Sequence, residues 1–390
     1  MFAKRTDWSF DLNPLTRRLN VLKKRGRQIL DLTESNPTHC AFHYPPNLLS
    51  ALHDLRNSAY APSPKGLSRA REAVARYYSE KGITVSPEHL FLTSSTSESY
   101  SFLFRLLLNP NDHLLVPKPS YPLFEYLATL NDVVITPYPL VYHKAWRMDL
   151  QRLSEELRSD TRAIVVVHPN NPTGSFVKKK ERDFLIKLSK EKGLSLIADE
   201  VFLDYAYPEA VAHAVSFAQE RSVLTFTLGG ISKTLGLPQM KVSWIVVSGP
   251  KRLRDAAIGR LEVISDTHLS VNTPSQQALR RWFSFRSLLQ REIRQRLLSN
   301  RQTLFELCRR SGLCEPLHAE GGWVAVLRLP NFQSEEAWVL EFLEKDGVLA
   351  HPGYFYDFDE EAHVILSLLV PSERFREGVS RLLSRVQKKV

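Results

Sequence analysis

The stretch Leu228-Gly-Gly-Ile-Ser-Lys-Thr-Leu-Gly-Leu-Pro-Gln-Met-Lys-Val-Ser-Trp244 sets how the rest of the chain is read. It lies between two apolar runs, residues 222–227 and 242–248, whose composition predicts buried strands. Lysine is among the residues least often fully buried. Lys233, set among Gly229, Gly230, Ser232 and Thr234 in an otherwise apolar interior, needs a reason to be there. One reading is a desolvated amine that forms an imine with a carbonyl cofactor. The other is a loop lysine whose head escapes to solvent. The remaining motifs choose between them.

Around this stretch, 390 residues are enough for two domains with sizeable cores, and 43% apolar with 24% charged residues is the make-up of an ordinary globular protein. No apolar run has the length needed to span a bilayer, and the first 25 residues lack a signal peptide's apolar centre, which predicts a cytoplasmic protein. Three cysteines (Cys40, Cys308 and Cys314) do not make a disulfide framework and fit a reducing compartment. His39 and His43 flank Cys40 between Pro37 and Pro45, without the second ligand pair that a metal site needs. The net charge of +10 raises nucleic acid as a partner, but no nucleic-acid-binding signature accompanies it. The densest basic group (Arg291, Arg294, Arg296, Arg301, Arg309 and Arg310) is expected to be a solvated helix face.

From residue 90 the chain alternates short strand, turn and helix. Strands are predicted at 90–93, 113–117, 133–140, 163–168, 194–198, 223–226 and 242–247, as near-continuous Val, Ile and Leu runs suited to a sheet covered on both faces. After a long helical region, about 250–312, strands at 321–327, 348–351 and 364–370 with helices at 334–346 and 374–388 predict a smaller α+β unit. The expected division is 1–45 as N-terminal arm and part of the small domain, 46–285 as the large α/β domain with a mostly parallel sheet, and 286–390 as the small C-terminal domain.

Open α/β sheets bind ligands at the carboxyl ends of their strands. Ser94-Ser95-Thr96-Ser97 opens a helix there, and free amides, hydroxyls and the helix dipole suit a phosphate. His168-Pro-Asn-Asn-Pro-Thr-Gly174 is richer than a turn requires. Asp199-Glu200 follows an apolar run, at a depth where a carboxylate is costly unless paired with a cation.

These motifs, in this order, resemble the fold type I pyridoxal-phosphate enzymes, specifically the class I/II aminotransferases related to aspartate aminotransferase, over nearly the whole chain. The resemblance implies pyridoxal 5'-phosphate as cofactor. Lys233 would carry it as an imine, and Asp199 would pair with its ring nitrogen. Asn171 would bond its phenolic oxygen and Tyr121 would stack on its face. Ser95, Thr96, Ser97, Ser232 and Lys241 would hold its phosphate. Tyr60 matches the family tyrosine that reaches the neighbouring subunit's phosphate, which implies a homodimer. The loops carrying Ser35, Asn36, Trp323 and Tyr354 line the family's substrate pocket. The implied activity is transfer of an amino group between a small amino acid and a 2-oxo acid by a ping-pong mechanism. A β-lyase, racemase or decarboxylase on the same fold is the alternative, because fold alone does not choose between chemistries.

The chain departs from the family at three positions. Phe202 stands where a tyrosine usually bonds the phenolic oxygen, with Tyr205 and Tyr207 nearby. Lys241 replaces an arginine at the phosphate, keeping charge without the bidentate fork. Ile365 occupies the place of the arginine that clamps the substrate carboxylate, leaving Arg17, Arg328, His351 and Arg374 as other cations.

Overall fold

The computed structural model describes residues 1–360 and 362–389. In chain order its strands are β1 (Leu30–Asp31), β2 (Leu90–Thr93), β3 (His113–Lys118), β4 (Val134–Tyr142), β5 (Trp146–Met148), β6 (Thr161–Val167), β7 (Ser195–Asp199), β8 (Thr225–Gly230) and β9 (Ser243–Ser248), followed by β10 (Glu315–Pro316), β11 (Val324–Arg328), β12 (Val348–Leu349), β13 (His351–Pro352) and β14 (His363–Ser367). The apolar runs assemble into one eight-stranded sheet in the order β2-β9-β8-β7-β6-β3-β4-β5. Within it β8, β7, β6, β3 and β4 pair in parallel, and only β9 and β5 run against the rest. Every residue of β2, β7, β8 and β9 is buried, as strands covered on both faces require.

A second, four-stranded antiparallel sheet runs β10-β11-β14-β13, and β1 pairs in parallel with β12. One apolar cluster joins Leu15 and Leu22 of the N-terminal helix Pro14–Lys24 to Leu297 and Leu304 of the long helix Arg286–Ser311, and to Leu382 and Val386 of the last helix, Ser372–Gln387.

Several expected boundaries shift for identifiable reasons. The strand expected at 348–351 splits: Val348–Leu349 pairs with β1, whereas His351–Pro352 pairs with β14. Its two halves satisfy different sheets, with Pro352 at the edge where its missing N–H is harmless. β5 is not apparent from the sequence, because three residues are too short for a periodic signal. The region 250–312 breaks into Lys251–His268, Thr273–Phe283 and Arg286–Ser311, the first break falling at Leu269 with φ +45.

The basic helix face is also corrected. Arg294 donates to the Asp204 carbonyl at 2.9 Å, Arg296 donates to the carbonyls of Cys40 and Leu369, and Arg301 pairs with Glu209 at 2.6 Å. Half of the arginines expected in solvent therefore fasten the long helix to the rest of the molecule.

Candidate active site

The register of the large sheet brings the motifs together. Val167 lies opposite Asp199, and Asp199 opposite Leu228. Because β6, β7 and β8 are parallel and end side by side, the loops after them emerge at one edge. β2, antiparallel to β9, points the same way and delivers Ser94–Ser97 there. The amide of His168 donates to the Asp199 carbonyl at 2.8 Å, so the 168–174 loop is fastened to the acidic strand end.

β8 runs directly into a single helical turn, Ile231–Thr234. Gly229 allows this approach: a Cβ there would meet the Trp244 indole at 2.6 Å. Three side chains from distant parts of the chain hold carbonyls of this turn and of the residues just after it. Tyr205 Oη donates to the Lys233 carbonyl at 2.7 Å, Gln290 Nε2 to that of Thr234 at 2.9 Å, and Tyr44 Oη to that of Gly236 at 2.7 Å. Gln290 is in turn bonded to Asp204, which accepts from Tyr77 and pairs with Lys81 at 2.7 Å. The turn is a rigid pedestal. Tyr205 and Tyr207 donate to backbone carbonyls, Lys233 and Gly322 respectively, and so do not replace the phenol missing at Phe202.

The Lys233 amine sits over two aromatic faces, 5.4 Å from the Phe202 centroid and 5.0 Å from that of Trp323. Burial holds it well below the ordinary lysine range, at about 8, with the charge of Asp199 pulling the other way. A good fraction of this amine is therefore neutral and nucleophilic near physiological pH.

Asp199 accepts from Tyr100 Oη at 3.0 Å and from the Val201 amide at 3.1 Å. Burial pushes its carboxyl up to about 6 against both bonds and the charge of Lys233. Glu200 accepts from Ser216 Oγ and the Phe217 amide, and burial pushes it up to about 7 against these bonds and the charges of Lys81 and Arg182.

A carboxyl raised in the folded state contributes stability that is complete below its unfolded value, about 4.3 for glutamate, and is lost as pH rises through about 7. Wild type should therefore lose ground to Glu200→Gln in urea-midpoint measurements between pH 4 and 7. A difference independent of pH would contradict this origin.

At the start of the helix Thr96–Leu107, Ser95 Oγ accepts from the Glu98 amide at 3.1 Å, and Glu98 accepts from the Ser94 amide at 2.7 Å. This reciprocal cap leaves the Thr96 and Ser97 amides without intrahelical acceptors, at the positive end of the helix dipole. The 168–174 loop carries cis bonds at His168-Pro169 and Asn171-Pro172. Gly174 at φ +68 lets it dock on the small sheet's approach segment, since a Cβ there would collide with the Gly321 carbonyl oxygen.

Among the residues singled out in the sequence, Lys233, Asp199 and Trp323 interact directly or through one intermediary, and Ser95–Ser97 and Asn171 emerge at the same strand ends. Ser232 is half-buried on the pedestal. Tyr121 is half exposed ahead of the helix Leu123–Leu130, Lys241 is exposed with φ +52, and Tyr60 is 83% exposed on its own loop. Ser35 is exposed, while Asn36 accepts from the Thr38 amide within its own turn. Tyr354 donates to Glu336 at 3.2 Å. Ile365 lies in an apolar cluster with Leu317 and Val326. Of the other cations, Arg328 is 3.5 Å from Glu315, His351 stands 3.4 Å from Tyr356 Oη, and Arg17 and Arg374 are exposed.

Sequence reasoning missed Tyr100, Tyr44 and Gln290. The available signal was a lone polar group on an otherwise apolar face, clearest for Tyr100 beside Phe102, Leu103 and Phe104.

A family model described as aminotransferase class I and II matches residues 27–382. Glutamate-pyruvate aminotransferase AlaA of Haemophilus influenzae is 27% identical over 369 residues, covering 93% of this chain and 91% of that protein. Alanine aminotransferase of Mycobacterium tuberculosis is 26% identical over 281 residues, covering 71% of this chain and 65% of that one. In structure, alanine aminotransferase from Pyrococcus furiosus superposes with a TM-score of 0.91, covering 100% of both chains at 20% identity, a likeness of fold. With a family match across the sheet, the lysine turn and the small sheet alike, the chain belongs to the class I and II aminotransferases, enzymes that move an amino group between an amino acid and a 2-oxo acid.

Proposed function

We propose that this aminotransferase uses pyridoxal 5'-phosphate held at Lys233 to exchange amino groups between small amino acids, alanine and glutamate first among them, and their 2-oxo acids. The observation that carries the reading is the desolvated Lys233 amine with the buried Asp199 carboxylate at the end of the neighbouring strand. The names of the relatives supply the substrate class.

The donor set fits the cofactor: a neutralisable amine, a buried carboxylate with no cation bonded to it among the described residues, and free amides at a helix N-terminus for a phosphate. Asp199 would hold the ring nitrogen and Asn171 the phenolic oxygen. Ser95, Thr96, Ser97, Ser232 and Lys241 would hold the phosphate, with Tyr121 on the ring face. When bound, pyridoxal phosphate supplies a carbonyl that takes the amino group and a ring that withdraws electrons from the substrate Cα. Lys233 would take the proton from the substrate Cα and return one during transfer. The Tyr205, Gln290 and Tyr44 bonds keep its backbone fixed meanwhile. Phe202 and Trp323 cover the amine with two ring faces.

The division into a large unit, 46–285, and a small one, 1–45 with 286–390, is supported by one apolar cluster drawn wholly from 46–285, while a second that joins Leu115, Ile164 and Leu196 to Val326 and Ile365 packs the two units together. A homodimer is supported by exposed apolar side chains at Leu49, Leu55 and Tyr60, which a second copy would cover. A cytoplasmic location is supported by three free cysteines. Among the described residues no helix is long and apolar enough to cross a membrane.

The test incubates the cofactor-loaded protein with alanine and 2-oxoglutarate. Pyruvate and glutamate should form in equal amounts. No glutamate from alanine and 2-oxoglutarate, with pyruvate and ammonia released instead from serine (water leaving from Cβ) and no need for an acceptor, would overturn the reading.

A further inference from the structure

Phe202 and Trp323 meet the lysine from two separate parts of the chain. Phe202 follows β7, and Trp323 precedes β11. The rings lie 5.4 Å apart at an interplanar angle of 71°, and Tyr205 closes the group 5.1 Å from Trp323 at 70°. In edge-to-face packing of this kind one ring's edge meets one face of the other, so each ring keeps at least one face for other contacts. Here two of those faces meet the Lys233 amine, within the reach of a cation–π interaction.

Trp323 is 1% exposed and its position is fixed by backbone bonds. The Leu368 amide donates to its carbonyl at 2.8 Å, and the preceding Gly322 amide donates to the Tyr205 carbonyl at 3.0 Å. Glu320, three residues earlier, accepts from the Phe176 amide at 3.0 Å and contacts His213 Nδ1 at 2.7 Å. This much fastening places one indole face against one amine.

We propose that Trp323 and Phe202 form an aromatic clamp that stabilises the protonated amine of Lys233, which makes Trp323 a positioning residue for proton handling at that lysine. The clamp deepens the reading of Lys233 as the reactive amine and rests on it. Desolvation favours the neutral amine and ring quadrupoles favour the ammonium, so the two effects oppose each other. The clamp therefore limits how far burial depresses the amine, and lets Lys233 carry the proton it must later return. The other groups around the amine are accounted for. Asp199 favours the ammonium, Tyr205 is bonded to the Lys233 carbonyl, and Asp204 behind the pedestal is paired with Lys81.

The test reads the amine itself. Full-length protein freed of cofactor is labelled with a trace of acetic anhydride across a pH series, and acetylation of Lys233 is followed by peptide mass spectrometry. Trp323→Leu keeps the position apolar, removes the indole face and leaves some space. Its midpoint should fall by about half to one pH unit, with Trp323→Phe in between. Phe202→Leu should move the midpoint the same way, which keeps the test open if Trp323→Leu does not fold. An unchanged midpoint, an equal shift in Trp323→Phe and Trp323→Leu, or a rise of the kind hydration of vacated space would give, would overturn the clamp. Because cofactor binding is not read, these outcomes stay separate from failure of the proposed function, which shows as wild type that takes up no pyridoxal phosphate.

Discussion

Lys233→Ala is expected to abolish covalent attachment of the cofactor and to lower the rate of amino-group transfer by at least about a hundred to ten thousand-fold, the usual contribution of a positioned general base. The effect should fall on kcat. The structure explains why no neighbour substitutes. The pedestal Ile231–Thr234 holds one lysine at this strand end, whereas Lys241 is exposed and Lys81 is committed to Asp204. Lys233→Arg makes the discrimination sharper, because it keeps a cation near Asp199 but supplies no amine for an imine. Equal loss in both variants assigns the effect to the amine; an arginine variant with near wild-type turnover would contradict the role.

The second large effect is expected at Asp199. Asp199→Asn keeps the shape of the side chain and a partner for Tyr100, removes the charge, and turns one of the two accepting oxygens into a donor. A buried carboxylate that keeps a ring nitrogen protonated, and so able to draw electrons from the substrate Cα, acts in a low dielectric, and removing such an interaction costs about a hundred to a thousand-fold in kcat. Cofactor affinity should fall as well, since the carboxylate would be the counter-charge of the ring nitrogen. Rapid-quench measurement of the first half-reaction with alanine isolates the chemical step. Unchanged single-turnover rates in Asp199→Asn would show that the acid is only structural, tying β7 to Tyr100.

The parts of this site legible in the sequence are those in which a polar residue ends an apolar run. Lys233 after β8, Asp199 at the end of β7 and Ser95–Ser97 after β2 all have that form, and the parallel sheet forces such ends together. The supporting shell was not legible for the opposite reason. Tyr100, Tyr44 and Gln290 act through contacts to residues far away in the chain, so a lone polar group on an apolar face, as at Tyr100, is the one local sign they give and it does not name a partner. The basic helix misled in the same way: charge density alone does not say which arginines reach back to carbonyls of other elements, as Arg296 does to Cys40 and Leu369.

The departures at 202 and 365 have different structural outcomes. Phe202 remains at the lysine, so its lost hydroxyl is replaced by a ring face. Ile365 belongs to the apolar cluster between the two sheets.

Attachment of the cofactor at Lys233 is read out by borohydride reduction of the wild type loaded with pyridoxal phosphate, followed by peptide mapping. A single reduced adduct is expected, on the peptide containing Lys233, with loss of the imine absorbance. Protein that takes up the cofactor without a borohydride-stable adduct, or carries it on a different lysine, would contradict the role given to this amine and with it the mechanism.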